Sequence, residues 1–234
     1  MEAYQAIIAT IALTMGVSWA SGINLYATLF VLGWMQASGH AELPQGLQVL
    51  SDPLVMTAAG FMYCVEFFAD KTPGVDTGWD AVHSFIRVPA GAILAAAAVG
   101  EVALPVQIAA AIVGGGLAAG SHVTKAGSRV LINASPEPVT NWAASLSEDV
   151  LVIAGLWTAL NHPVLFLVLL AVFIVAMIWL LPRLWRALKR VYTALVGWLR
   201  GTQRPEDQTG RPEMEGPLGG LLESARRGTE DPKR

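Results

Sequence analysis

Before residue 183 the chain is a series of apolar runs with very few basic groups: Lys71, Arg87, Lys125 and Arg129 are the only Lys or Arg. A soluble fold of this size needs a charged coat, in which roughly a quarter of residues are ionisable. Here 14% are charged and 54% are hydrophobic. That composition predicts an all-α, polytopic membrane protein, since lipid admits helices whose backbone groups are satisfied within the segment. The basic groups concentrate in the last 52 residues, which hold eleven Lys or Arg interspersed with seven acids. The sequence therefore divides into a transmembrane helical domain (1–182), a basic amphipathic surface helix (183–200) and a disordered tail (201–234). The N-terminus lacks a basic n-region and reads as a retained first span.

One polar stretch interrupts the apolar part. Glu66, Asp70, Lys71, Asp76, Asp80, His83 and Arg87 place nearly half the charges that precede residue 183 within 22 positions. Ending a membrane helix does not require so many. Ala59, Tyr63, Glu66 and Asp70 share one helical face. His122, Lys125 and Arg129 share another, and Glu148 and Asp149 open a later span. Thr77-x-x-Asp80 and Ser145-x-x-Glu148 have the form of capping boxes.

Residues 3–37 would make a helix of roughly 52 Å, too long for a hydrocarbon core about 30 Å thick. Ser21, Gly22 and Asn24 interrupt it, so the reading is a broken or re-entrant first element. Asn24, Tyr26 and Thr28 could line a polar path there, or bond neighbouring backbone. Asp52-Pro53 opens a span to residue 70 with a cap and a first-turn proline. A short amphipathic helix is expected over 78–88, with Pro89 starting or kinking the next span. Further spans are read at 104–122, 146–160 and 164–181, and Pro182 begins the basic helix. Six spans place every Lys and Arg on one side, which the positive-inside rule makes cytoplasmic, together with both termini; a seventh span stays open if 3–20 and 23–37 both cross, since Met1 and Glu2 carry no basic side chain.

PGVDTGWDAVHS from Pro73 aligns with PEPVTNWAASLS from Pro136 at a shift of 63. Two halves of three spans each, with a long first element broken by glycine, also suggest an inverted repeat of the transporter kind. The same-side match does not itself carry that inversion.

Two chemistries compete in the polar stretches. Asp76, Asp80 and His83 with Glu66 and Asp70 could hold a divalent metal or act as acid and base on a lipid head group, although no HExxH or ExxH pattern is present. No resident cofactor is expected. Alternatively Arg87, Lys125 and Arg129 could bind an anion, a small solute or a lipid head group. Lys71 would stand with these cations, Glu66 and Asp70 would serve as the coupling pair, Glu148 and Asp149 as further partners, and His83 and His122 as proton carriers. The expectation is a transporter or solute-binding membrane protein rather than an enzyme. A lipid-modifying enzyme and a structural or assembly protein are the rivals. Membrane lipids are the expected surroundings, nucleic acid is excluded by the acid-interspersed tail, and Gly/Ala-rich helices would serve any oligomer. Cys64, the single cysteine, is assigned to packing.

SGINLYATLFVLG (21–33), VEFFADKTPGVDTGWDAVHSFIRVPAGA (65–92), GSHVTKAGSRVLINASPEP (120–138) and SLSEDV (145–150) resemble the blocks of the domain of unknown function 4126 family of bacterial membrane proteins. The resemblance covers about residues 10–180 and is most specific at EFFADKTPGVD. It implies a multi-pass domain, hence a bacterial inner membrane location, and brings no activity with it.

Overall fold

The computed structural model describes residues 1–72, 74–133 and 138–199. The expected disordered tail lies outside them, as do Pro73 and Pro136 of the repeat. Among the described residues there is no strand. The helices are α1 (Glu2–Ile23), α2 (Leu25–Ala37), α3 (Gln45–Gln48), α4 (Pro53–Ala69), α5 (Val75–Ala98), α6 (Leu104–Asn133), α7 (Pro138–Asn161) and α8 (Pro163–Leu199), with a single 3-10 turn at Val49–Ser51. Five of them, α1 and α5 to α8, are long and apolar enough to cross a membrane, and α2 and α4 are shorter apolar helices. The protein is a polytopic helical membrane protein. Met1–Arg190 form one compact unit, and Val191–Arg234 are a second whose described part is the end of α8.

The first element breaks where the sequence predicts. Asn24 is extended (φ −144°, ψ 99°), and its side chain accepts from Ala27 N at 2.9 Å, capping α2. Thr28 Oγ1 donates to Asn24 O at 2.7 Å, a bond to neighbouring backbone. Packing fixes the direction of the chain on either side of the break. Gly16 lies on Ala159, Gly155 on Trp19, and Asn24 bonds Asp149, so α1 runs antiparallel to α7. Ser18 meets Gly114 and Gly22 meets Ala118, so α1 runs parallel to α6. Glu66 pairs with Lys125 and Asp70 with Arg129, making α4 parallel to α6 as well. Gly60 abuts Phe30 and Gly33 abuts Met56, so α2 is antiparallel to α4 and therefore to α1. The first two helices are an antiparallel pair that turns back at Asn24 rather than one continuous broken helix, and they are called here the re-entrant pair. They enter and leave at the end that holds the connections after α2, α5 and α7, called here the turn end. α4 to α8 then run alternately between it and the opposite, basic end. Met1 consequently sits at the turn end, not beside the basic residues as the six-span count expected.

Small residues allow this. A Cβ on Gly22 would stand 2.3 Å from Ala118 O, one on Gly91 2.4 Å from the Ala118 Cβ, and one on Gly114 2.3 Å from the Ala95 Cβ. Backbones of α1, α5 and α6 thus touch where lipid gives no hydrophobic drive for helices to associate, and close van der Waals contact must hold them. Trp19 is wedged edge-on against Phe166 and Phe173 of α8. Asp52 caps α4 through Leu54 N at 2.8 Å, with Pro53 in the first turn as expected. Gly100 (φ +74°) turns the chain after α5 in a conformation other residues resist.

Several boundaries differ from expectation. α5 runs unbroken through Pro89, and α8 through Pro182, so neither proline begins a new helix. A membrane helix tolerates the missing N–H because neighbouring groups take up the freed carbonyl. α7 starts at Pro138, eight residues before the expected span, so Ser145 and Glu148 lie inside it and form no capping box. At the start of α5 the capping oxygen belongs to Asp76, which accepts from Gly74 N and Thr77 N at 2.9 and 2.6 Å, while Asp80 is turned to other partners. Cys64 is exposed on the outside of the bundle rather than packed within it. α5 and α7 begin and end 63 positions apart, the shift of the sequence match. The hairpins α4–α5 and α6–α7 run the same way, so their likeness is that of a direct repeat, and a three-span inverted repeat does not relate them.

Candidate functional site

Helical spacing brings the polar residues to one place. Asp76, Asp80, His83 and Arg87 form the buried stripe of α5, continued by Gly91. Ser121, His122, Lys125 and Arg129 form that of α6, and Asn141, Ser145 and Asp149 that of α7. Glu66 and Asp70 close the group from α4. Arg87, Arg129 and Glu66 are 0% exposed. Arg87 lies about 16 Å of helix rise from Ala98, and Glu148 about 20 Å from Asn161. Both depths fall inside a hydrocarbon layer about 30 Å thick.

Arg87 donates to Glu66 and, at 2.9 Å, to Asp80. Lys125 sits among four carboxylates, 2.7 Å from Asp70, 3.5 Å from Glu66, 3.6 Å from Glu148 and 3.8 Å from Asp80. Arg129 grips both oxygens of Glu148 at 3.2 and 2.7 Å, and its Nη1 donates to Asp70 O and to Asn141 Oδ1 at 3.0 and 2.6 Å. Four carboxylates therefore face three permanent cations. One oxygen on each of Glu66, Asp70 and Asp80 is buried without a hydrogen-bond partner among the described residues. In a low-dielectric interior each such oxygen is costly.

The histidines are held in defined tautomers. A guanidinium only donates, so His122 Nδ1 accepts from Arg87 at 3.1 Å and its Nε2 faces Ser84 Oγ at 2.7 Å. His83 Nδ1 donates to Trp79 O at 2.9 Å, leaving Nε2 to meet Tyr26 OH at 3.1 Å, with its ring stacked on Trp79. His83 and Tyr26 thus tie the re-entrant pair to α5. Asn24 ties it to α7, donating to Asp149 Oδ1 at 3.0 Å, while Asp149 Oδ2 is another buried oxygen without a partner among the described residues. Lys71, in the turn after α4, is a further buried cation beside the network, near Asp149 and Asp70. Its ammonium lies 2.9 Å from the Phe67 ring centroid and 3.2 Å from Ser145 Oγ. Burial pulls its pKa below the ordinary lysine value, with Asp149 and Asp70 opposing.

The structure thus joins Glu66, Asp70, Asp80, Arg87, His122, Lys125, Arg129 and Glu148 in one network and sets Asn24, Asp149 and His83 at its edge. Asp76 caps α5. Among the described residues no group of three or more His, Cys, Asp or Glu could hold a metal ion. Ser84 and Asn141 were missed by the sequence reading, and Ser145, read there as a helix cap, instead accepts from Lys71. The signal was there for α7, where Asn141, Ser145 and Glu148 recur at helical spacing, but only if the helix is carried back to Pro138.

The family described as Domain of unknown function (DUF4126) matches residues 11–183, and the chain belongs to it. No curated protein and no solved structure matches the chain.

Proposed function

We propose that the protein is a membrane transporter in which the buried network takes up and releases one positive charge, a proton, as a solute moves. The observation that carries this reading is the excess of one carboxylate over the permanent cations, with unpartnered carboxylate oxygens on three of the four acids. Arg87 Nε and Asn141 Nδ2 are buried donors without a partner among the described residues too, so what the group is short of is positive charge, and a proton is its smallest carrier. Intramembrane ionisable groups are expensive and are kept for function. Glu66 and Asp70 hold the coupling role. Arg87, Lys125 and Arg129 are already engaged by carboxylates, so an anionic solute would reach them only by displacing Glu66, Asp70 or Glu148. The re-entrant pair is the moving part. Its tip at Asn24 reaches the network and is held by polar contacts to Asp149 and His83, while discontinuous helices serve alternating access in transporters.

The excess of Lys and Arg at the basic end supports a bacterial inner membrane orientation with that end in the cytoplasm and Met1 on the opposite face. The small faces of α5 and α6 pack inside the chain, so an oligomer would use other surfaces.

The test is uptake by purified protein in sealed vesicles. With a pH gradient imposed, vesicles are offered a labelled metabolite extract, and internal pH is followed with a trapped dye. Gradient-dependent accumulation of a solute class, lost in Glu66→Gln, is the expected result. No accumulation in either gradient direction, or accumulation unchanged by Glu66→Gln, would refute the proposal.

A further inference from the structure

A groove of about 270 Å³ opens between α5, α6 and the stretch of α8 around Trp185. Its floor is polar, made by Asp80, Ser84 and His122, and its walls are apolar, including Val123, Ala126 and Trp185. Two of the three floor groups are occupied by their neighbours. Ser84 Oγ donates to Asp80 O at 2.9 Å and meets His122 Nε2, and His122 Nδ1 accepts a hydrogen bond from Arg87. Asp80 is different: Oδ1 accepts from Arg87, but Oδ2 has no partner among the described residues, and the residue is 1% exposed. The floor of this groove is short of a donor, and the donor it would take is one that pairs with a carboxylate.

The place of the groove narrows the ligand. Trp185 follows Pro182 closely, just beyond the apolar run of residues 164–181, where aromatic side chains sit at a membrane–water boundary. Arg183 and Arg186 on the same turns are exposed but lie outside the lining of the groove, and they donate to Trp179 O at 2.7 Å and Pro182 O at 3.2 Å on their own helix. Apolar walls and a carboxylate floor match an acyl chain and an ammonium, which an aminated phospholipid carries on one molecule. We infer that this groove is a binding site for a phospholipid with a primary ammonium head, whose nitrogen donates to Asp80. A soluble amine would share the carboxylate contact but leave the apolar walls unfilled. The inference deepens the transport reading by naming a class of molecule that reaches the network, and it is read by equilibrium binding, without a gradient.

The experiment uses the full chain, delipidated in detergent and titrated with phosphatidylethanolamine, phosphatidylcholine, phosphatidylglycerol or free ethanolamine, with bound lipid read by native mass spectrometry. Phosphatidylethanolamine should bind about tenfold or more tightly than phosphatidylcholine, whose trimethylated head cannot donate. Asp80→Asn should lose that preference. Ala126→Trp, which fills the groove and leaves every network residue in place, should lose the binding itself and keeps the test decisive if Asp80→Asn fails to fold. Equal binding of the two lipids, preference for phosphatidylglycerol, saturation by ethanolamine alone, or undiminished binding by Ala126→Trp would each overturn the assignment. Gradient-driven uptake failing while this binding holds would remove the transport reading and leave the lipid site.

Discussion

A carboxylate at membrane depth has no water to fall back on, so each charge in the network stands or falls with its partners. Glu66 is tied to Arg87 and Lys125 and is wholly buried. Arg87→Met removes the donor that Glu66 and Asp80 share and widens the carboxylate excess, and removing one member of a buried pair costs about 3–5 kcal/mol. The expected outcome is a clear fall in the thermal midpoint of the detergent-solubilised full chain. Removing both members behaves differently, because replacement of a buried pair by apolar groups of similar volume is often neutral or better. Glu66→Met with Arg87→Met should recover most of the lost midpoint, with Asp80 and Lys125 left to pair across the gap. Recovery would mean that stability alone does not explain why these charges are there; a double variant as unstable as the single one would mean that it does.

At the scale of the helix, the fold depends on backbones that touch. A Cβ on Gly22 would lie 2.0 Å from Ser121 Oγ and 2.3 Å from Ala118 O, so Gly22→Val must push α1 off α6. Gly116, two positions beyond Gly114, has open space around it. Gly116→Ala should be neutral or stabilising by up to about 1 kcal/mol through helix propensity. Thermal midpoints of the two variants check this contrast. Asn24→Ala removes the α2 cap, worth about 0.5–2 kcal/mol, and also leaves Asp149 without its donor. It should loosen the re-entrant pair, seen as faster hydrogen exchange in residues 20–30 with the rest unchanged. These elements differ in how far they could be read in advance. Asp52-Pro53 and the break at Asn24 were legible because a cap and an interruption are local signals. The start of α7 was not, because Pro138 to Ser145 have no apolar run. Their buried face meets Arg129 and Lys71 instead of lipid, so its polar character hid a helix. Pro89 and Pro182 misled because the rule that proline ends a helix assumes water is waiting for the freed carbonyl.

At the scale of the molecule, the membrane class and the importance of residues 66–87 were plain in the sequence, and the path of the chain was not. Length arithmetic showed that residues 3–37 must break, but only tertiary contacts, Gly16 on Ala159 and Gly60 on Phe30, show that they fold back. The same contacts drew His122, Lys125 and Arg129 into partnership with acids far away in sequence, which spacing alone could place on a face but not pair. This path predicts that Met1 and the end of the apolar part of α8 lie on opposite faces. In a Cys64→Ser background, single cysteines replacing Gln5 and Arg186 should label from opposite sides of intact cells; labelling from the same side would restore a six-crossing path.

The measurement that tests the central claim most directly is gradient-driven internal pH change in vesicles carrying the wild-type chain or the Glu66→Met, Arg87→Met double variant. The substitution keeps the charge balance and removes the coupling carboxylate. A network that works predicts a variant with a near-normal thermal midpoint and no solute-dependent proton movement. A folded variant that moves protons like the wild type would contradict the assignment of Glu66 as the group that carries the proton.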